Sequence, residues 1–242
     1  MSALPEIRIH ELEEIDSTNR FLMDMAKDGA ACGTVVVARR QSSGRGRLGR
    51  SFSSPEGGVY VSMLLPAAQL DGGFFLTAKA GVAVRRTIKQ VCDKECGIKW
   101  VNDIIYKNRK VCGILAQGYG DKAILGIGVN YAVDTNQFPE DVREIASSLY
   151  DCPQVAPPIR VFIDALIRNV YSLVYKDDEN WLEEYKGSST IIGNKVLILK
   201  AGAVTGSGIA ASIDDSCYLH VIGDDGKETV LSTGEVSVRT KG

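Results

Sequence analysis

The 242-residue sequence predicts an α+β domain followed by a small β domain. Three observations point there. Through Lys186, apolar stretches at helical spacing are interleaved with β-branched runs. Beyond Gly187 the composition changes to short β runs separated by turn residues. The length suits one large domain with a small appendage. The two units are 1–186 and 187–242.

Taken in order, Ser17-Thr18-Asn19 opens a helix that places Phe21, Leu22, Met25 and Ala26 on one face and ends at Gly29. Thr34–Ala38 is a β-branched run and reads as a buried strand. A Gly/Arg/Ser-rich loop covers Ser42 to Gly58. Val59–Leu65 is a second strand, stopped by Pro66. Phe74–Val91 is a long apolar helix with Ala80, Val84, Ile88 and Val91 at helical spacing. Lys99–Tyr106 and Lys110–Gln117 read as a strand pair joined by Lys107-Asn108-Arg109, and Ala123–Val129 as a further strand. Asn130 to Pro158 is loop-rich. Arg160–Tyr175 is amphipathic, and Asp178–Lys186 is the next helix. The second unit carries β runs at Lys195–Leu199, Gly208–Ala211, Leu219–Ile222 and Val230–Leu231. Ala201-Gly202, Asp214-Asp215 and Asp224-Asp225-Gly226 supply the turns.

Composition excludes several function classes. The net charge is −2, so the surface as a whole does not mark a nucleic-acid binder. No stretch approaches a membrane-spanning length of apolar residues. The acidic N-terminal stretch does not read as a secretory signal, which points to the cytoplasm. Two histidines, His10 and His220, stand at opposite ends, so a His-based zinc centre or a Ser–His–Asp triad is poorly supplied. The six cysteines form no CxxC pair and read as reduced thiols. Cys112, between Val111 and Gly113, has no base beside it in sequence and reads as packing rather than as a nucleophile.

The sharpest chemical signal is Gln41 followed by Gly44-Arg45-Gly46-Arg47-Leu48-Gly49-Arg50. Five arginines lie between positions 39 and 50, and no Asp or Glu occurs from Gly29 to Pro55. Glycines let backbone approach a ligand, and guanidinium forks match carboxylate and phosphate oxygens. The pattern is neither a Walker loop nor a dinucleotide fingerprint. By itself it reads equally as a compact anion site or as a solvated basic loop. RNA binding is a third reading, weakened by the lack of interleaved aromatics.

Six segments in order are similar to biotin protein ligases. They are Ser17-Thr18-Asn19; Gln41 with the glycine-arginine loop; Ser54-Pro55-Glu56-Gly57-Gly58-Val59-Tyr60-Val61-Ser62; Lys99-Trp100-Val101-Asn102-Asp103-Ile104; Lys110-Val111-Cys112-Gly113-Ile114-Leu115; and Gly126-Ile127-Gly128-Val129-Asn130. Gly208-Ile209-Ala210, Ile213-Asp214 and Gly234-Glu235-Val236-Ser237 resemble the family's C-terminal unit. The chain departs from the family pattern at Val101 (usually Pro), Gln117 (often Glu), Leu48 (often Arg) and Arg39–Arg40, near which an acid is common.

The resemblance implies a mixed β-sheet with helices on one side, of the class II synthetase-like biotin/lipoate ligase type, plus an SH3-like C-terminal β-barrel. It implies that ATP activates biotin to biotinyl-5′-adenylate, and that the biotinyl group passes to a lysine of a biotin carboxyl carrier protein. Mg2+ accompanies ATP, held largely by phosphate oxygens, and no metal-ligand cage is visible. A homodimer is common in the family; neither nucleic acid nor membrane is an expected partner.

Carried over residue by residue, Ser17, Thr18, Asn19 and Gln41 bind biotin, with Ser17, Thr18 and Gln41 at its ureido ring. Arg45, Gly46 and Arg47 meet the biotin carboxylate and the phosphate. Gly57, Gly58, Gly113, Ile114 and Leu115 form pocket wall. Arg50, Asn102, Gly126, Gly128 and Asn130 belong to the ATP and adenylate side. Lys99, with Arg45 and Arg47, is the catalytic candidate, because an ammonium group stabilises charge gathering at the α-phosphate. A carboxylate nucleophile is already ionised at neutral pH, so no general base is required for that step. Other roles coexist: Ser17 or Thr18 caps the helix, Gly57-Gly58 serves as a plain turn, and Ile114 and Leu115 pack the core. Asp103 either orients Lys99 or accepts the proton of the incoming amine.

Two rivals remain. A lipoate or octanoate ligase shares the fold but uses a different glycine motif. A biotin-sensing repressor needs a helix-turn-helix, for which the 16 residues before Ser17 are too few.

Overall fold

The computed structural model describes residues 5–69, 74–176, 178–200, 202–232 and 236–240. Ala201 of one expected turn, and Gly234-Glu235, lie outside the described residues.

The elements are β1 (Arg8–Ile15), α1 (Thr18–Lys27), β2 (Thr34–Gln41), β3 (Val59–Pro66), α2 (Phe74–Cys92), β4 (Gly97–Lys99), β5 (Asp103–Tyr106), β6 (Arg109–Tyr119) and β7 (Lys122–Val129). There follow α3 (Glu140–Arg143), α4 (Ile159–Tyr175), α5 (Trp181–Gly187), β8 (Lys195–Lys200), β9 (Ala203–Ile213), β10 (Leu219–Gly223), β11 (Glu228–Leu231) and β12 (Val236–Thr240). Among the described residues they form two sheets. The first has seven strands in the order β1-β2-β3-β7-β6-β5-β4 and is mixed, because β1 pairs parallel to β2 while the others are antiparallel. The second has five antiparallel strands, β11-β10-β9-β8-β12. This small antiparallel sheet is consistent with the SH3-like unit expected; among the described residues no ladder joins β11 to β12.

Strand alternation sorts the helices between the two faces of the first sheet. Val35, Val37, Val61, Met63, Leu125 and Ile127 join the core with α2, α4 and α5. Val36, Leu64 and Ile124 point the other way and pack on Leu22 and Ala26 of α1. So α2, α4 and α5 cover one face, and α1 covers part of the opposite one. The uncovered remainder of that second face, over β3, β7 and β6, is where the site lies.

Besides α3 and β12, which were not expected as elements, β1 and the Lys99–Tyr106 stretch differ from expectation. β1 was not expected as a strand: Ile9 and Leu12 pack in part on opposite faces of the sheet, and most of this edge strand is charged and exposed. Lys99–Tyr106 is not one strand. It folds into a tight β4–β5 hairpin around Trp100–Asn102, with Lys99 opposite Asp103. The Trp100–Val101 peptide in that turn is cis. No helix among the described residues is long and apolar enough to cross a membrane.

Candidate active site

A cleft of about 1030 Å3 crosses the open face of the first sheet and reaches the start of the second unit at Thr190–Lys195. Its floor is built by register. Tyr60, Gly128 and Gly113 lie side by side on β3, β7 and β6, and Ser62, Gly126 and Leu115 form the next row. Two glycines side by side leave bare backbone. The Phe52 ring lies on it: a Cβ at Gly128 would stand 2.5 Å from that ring, and one at Gly113 2.9 Å.

One end of the cleft is neutral and tightly hydrogen-bonded. Ser17 has extended backbone angles and caps α1, accepting from Arg20 N. The Thr18 backbone N–H donates to Gln41 Oε1 at 2.8 Å, and the Thr18 hydroxyl lies 3.0 Å from the same oxygen. Gln41 Nε2 donates to Ser54 Oγ at 2.8 Å. Ser62 Oγ, with 0% exposure, lies 2.8 Å from Thr18 Oγ1 and donates to Asn19 Oδ1 at 2.6 Å. Asn19 Nδ2 in turn donates to Gln117 Oε1 at 3.0 Å. The chain Gln41–Thr18–Ser62–Asn19–Gln117 thus orients each amide. Gln117, which stands where the family often has Glu, keeps the chain uncharged.

The other end is cationic. Arg45, Arg47, Arg50, Lys99, Lys110 and Lys195 line the cleft against Asp103, Asp141 and Glu144, so the described lining is net positive in a chain of net charge −2. The glycine-arginine loop closes on itself. Gly46 N donates to Arg50 O at 2.7 Å, and Arg45 bridges Ser51. Leu48 sits at φ 58, exposed at the loop tip. Arg47 Nη1 donates to Asn102 Oδ1 at 3.0 Å, and Asn102 Nδ2 donates to Ile114 O, tying the loop to the β4–β5 hairpin and to β6. Burial pulls the Arg47 guanidinium below its ordinary value while Asp103 opposes the shift. A guanidinium starts so high that it stays charged. Asn130 Nδ2 donates to Ser147 O, and its buried Oδ1 has no partner among the described residues.

Most of the residues singled out in the sequence meet in this cleft: Ser17, Thr18, Asn19, Gln41, Arg45, Gly46, Arg47, Arg50, Lys99, Asn102, Gly113, Ile114, Leu115, Gly126, Gly128 and Asn130. Four depart from their expected roles. Gly57 and Gly58 are not among the lining residues. Gly57 is a turn at φ 93 packed on the Ala132 backbone, and a Cβ at Gly58 would collide with Tyr60. Ile114 contributes only its backbone, because its side chain points to the opposite face and into the core. Gly126 is bare to make room for Asn19.

Three participants were not assigned from the sequence. Lys110 forms an ion pair with Asp103 at 2.7 Å and lies 5.7 Å above the Phe52 ring. Asp103 therefore meets Lys110, a role beyond the two left open for it. Phe52 and Ser62 are the other two. The signal for Ser62 was present, as a lone hydroxyl in the apolar run of β3. Cys112 has 0% exposure, and burial pushes its thiol well up, which leaves it a packing residue.

Known proteins resemble this chain in sequence and fold. Residues 11–134 match the Biotin/lipoate A/B protein ligase family and residues 191–239 the Biotin protein ligase C terminal domain. The biotin--[acetyl-CoA-carboxylase] ligase of Mycobacterium tuberculosis is 30% identical over 230 residues, covering 91% of this chain and 85% of that one. The bifunctional ligase/repressor BirA of Bacillus subtilis is 37% identical over 142 residues, which are 56% of this chain and 44% of its own length, so the chain spans less than half of that relative. The structure of the Aquifex aeolicus biotin protein ligase in complex with biotin and ATP superposes with a TM-score of 0.82 at 26% identity, over 97% of this chain and 99% of that one. The Leishmania major enzyme with biotinyl-5-AMP gives a TM-score of 0.65 at 27% identity, over 93% and 99%. With the ordered motifs, the shared sheet and a family match over half its length, this chain belongs to the biotin/lipoate A/B protein ligase family.

Proposed function

We propose that the chain is a biotin protein ligase, with residues 1–186 as the ligase unit and 187–242 as its small companion. The observation that carries this reading is the polarity of the cleft: a neutral hydrogen-bonding end at Ser17, Thr18 and Gln41 runs into a cationic end at Arg45, Arg47, Lys99 and Lys110. Biotin has the same polarity, with a neutral ureido ring, an apolar chain and a carboxylate. A ureido group offers two donors and one acceptor, which hydroxyl and amide partners satisfy. Gln41 has spent both its Oε1 and one Nε2 hydrogen on Thr18 and Ser54, so its direction is set before any ligand arrives. Such prepaid order makes the loss of one ligand hydrogen bond costly and favours discrimination.

In the first step the biotin carboxylate attacks the α-phosphorus of ATP, and the bond to pyrophosphate breaks. Lys99 and Lys110 meet the charge that gathers on the phosphate, and Arg45 and Arg47 hold the anionic ends in line. Asn130 Oδ1, a buried acceptor without a partner among the described residues, suits an amino donor such as that of adenine. In the second step the amine of a carrier lysine attacks the biotinyl carbonyl. An amide forms, AMP leaves, and the amine proton is lost to solvent or to Asp103.

Mg2+ accompanies ATP. Among the described residues no group of three or more Asp, Glu, His and Cys side chains converges. Asn102 and Asp103, which Arg47 and Lys110 engage in this structure, are the oxygen donors the hairpin would offer an ion carried mainly by phosphate oxygens. When bound, the ion neutralises phosphate charge. The acceptor in this reading is a biotin carboxyl carrier protein.

The test is exchange of labelled pyrophosphate into ATP by the purified protein with Mg2+, with and without biotin. Exchange that depends on biotin is expected. Folded protein without exchange, or with lipoate in place of biotin as the better substrate, overturns the assignment.

A further inference from the structure

The geometry points to the stretch that joins the two units, Tyr185 to Thr190, and to the Asp214–Tyr218 turn of the second unit, as a brace that positions Lys99 for the adenylating step. This inference rests on the reading of the cleft given above.

Lys99 closes β4, a strand of three residues at the edge of the first sheet. So short an edge strand holds little register by itself. Its outer side is paired by the joining stretch. Ile98 N donates to Ser188 O at 2.7 Å, and Thr190 N donates to Ile98 O at 2.9 Å, which makes a parallel bridge between Ile98 and Ser189. The fit is close: a Cβ at Gly97 would collide with the Thr190 Cγ2 methyl and stand 3.3 Å from Ser188 O. On the other side of Lys99 two side-chain bonds fix the turn. Tyr185 Oη, buried in α5, donates to Val101 O at 3.2 Å. Trp100 Nε1 donates to Cys217 O at 2.9 Å.

The Cys217 carbonyl is itself held in place. Asp214 accepts from the backbone N–H groups of Ser216 and Tyr218, and Cys217 N donates to Asp214 O. Aromatic packing continues the contact: Phe74 stacks on Trp100 at 6.0 Å and meets Tyr218 edge-on at 5.9 Å. Residues 98, 100 and 101 are therefore each bonded to chain that follows α4, and Lys99 stands between them. A long flexible ammonium reaches a reacting phosphate only as well as its backbone is placed.

The neutral end of the cleft is held separately. Thr18 and Gln41 bond to each other, to Ser54 and to Ser62. Loosening the brace should thus lower kcat while leaving biotin binding intact. Tyr185, Trp100, Gly97 and Thr190 are positioning residues in this scheme.

Two variants test it by biotin-dependent pyrophosphate exchange. Tyr185→Phe removes one oxygen and leaves Val101 O unpaired. Gly97→Ala pushes the joining stretch off β4. Each is expected to lower kcat about tenfold, roughly 1.4 kcal/mol at the barrier, with KM for biotin unchanged within about twofold. Adding Thr190→Ser to Gly97→Ala removes the colliding methyl and should restore most of the rate, and with it the slow hydrogen exchange of the residue-190 amide. Wild-type kcat in both single variants, KM for biotin rising in step with the fall in kcat, or a double variant no better than Gly97→Ala overturns the brace. If Gly97→Ala does not fold, Tyr185→Phe decides alone. A wild type with no exchange overturns the ligase reading itself; an active wild type with unaffected variants overturns only the brace.

Discussion

Replacing Gly126 with alanine perturbs the neutral end of the cleft at its tightest point. The added methyl would collide with Asn19 Oδ1 and stand 2.7 Å from Cγ and 2.9 Å from Nδ2, so relief requires the Asn19 amide to move. Asn19 is 5% exposed and receives the Ser62 hydroxyl at 2.6 Å while donating to Gln117 at 3.0 Å. Moving it breaks both bonds and strands the buried Ser62 hydroxyl away from water, while half-buried Gln117 can turn to solvent. A stranded group costs about 1–3 kcal/mol, and crowding adds a comparable amount unless neighbours yield. A net loss on the order of 3 kcal/mol follows, which for a chain of this size lowers Tm by roughly 6–12 °C. Ser62 then loses its anchor and Thr18 the neighbour that orients its hydroxyl, so biotin affinity should fall about tenfold, the worth of one well-made hydrogen bond. Thermal unfolding followed by circular dichroism reads the first effect, and calorimetric titration with biotin the second. A melting point within about 2 °C of wild type, together with unchanged biotin affinity, would refute the reasoning.

Other predictions follow from the same geometry. Lys99→Met and Lys110→Met should each slow pyrophosphate exchange by about a hundredfold or more, as loss of one preorganised charge does, with circular dichroism unchanged; a normal rate in either variant removes that lysine from the chemistry. Cys112→Ala should keep kcat and cost about 1–2 kcal/mol in urea unfolding, and a large loss of rate would revive a thiol role. His220 bonds to Asp214 at 3.1 Å and to Glu228 at 2.8 Å, and the Asp214 and Glu228 bonds raise its pKa. A raised value in the folded state means the pair stabilises fully below the unfolded value of about 6.5 and is lost as pH rises through the folded value. Stability relative to His220→Gln should therefore decline from about pH 6.5 upward; a flat difference across that range argues against the pairing.

The helices and inner strands were legible because burial imposes a period on them. Val59–Leu65 and Phe74–Val91 are apolar on nearly every position the core touches. β1 was illegible for the opposite reason: this edge strand carries charge on both faces and buries only Ile9, Leu12 and Ile15, each in part. The hairpin break at Trp100–Asn102 was hidden because both its flanks are buried, and apolarity does not say where a chain reverses. The cleft residues were read through ordered motifs, but their direction was not. Ile114 and Leu115 are adjacent in sequence and point to opposite faces, so only one presents a side chain to the site. Lys110 looked like the start of an apolar run, and its pairing with Asp103 depends on the register of β5 with β6, which no local pattern encodes.

The paired glycines of the cleft floor have a thermodynamic side. Gly113 and Gly128 face each other across β6 and β7, with no side chain to pack between them. Each such position weakens a strand by about 0.5–1 kcal/mol relative to alanine. The middle of the first sheet therefore gains less from its own side chains than the strands around it. Whatever lies on those glycines supplies the packing that the strands lack, as the Phe52 ring does in this structure. Occupancy of the cleft should then slow opening of the β6–β7 ladder itself, so that a bound molecule acts as a missing part of the sheet.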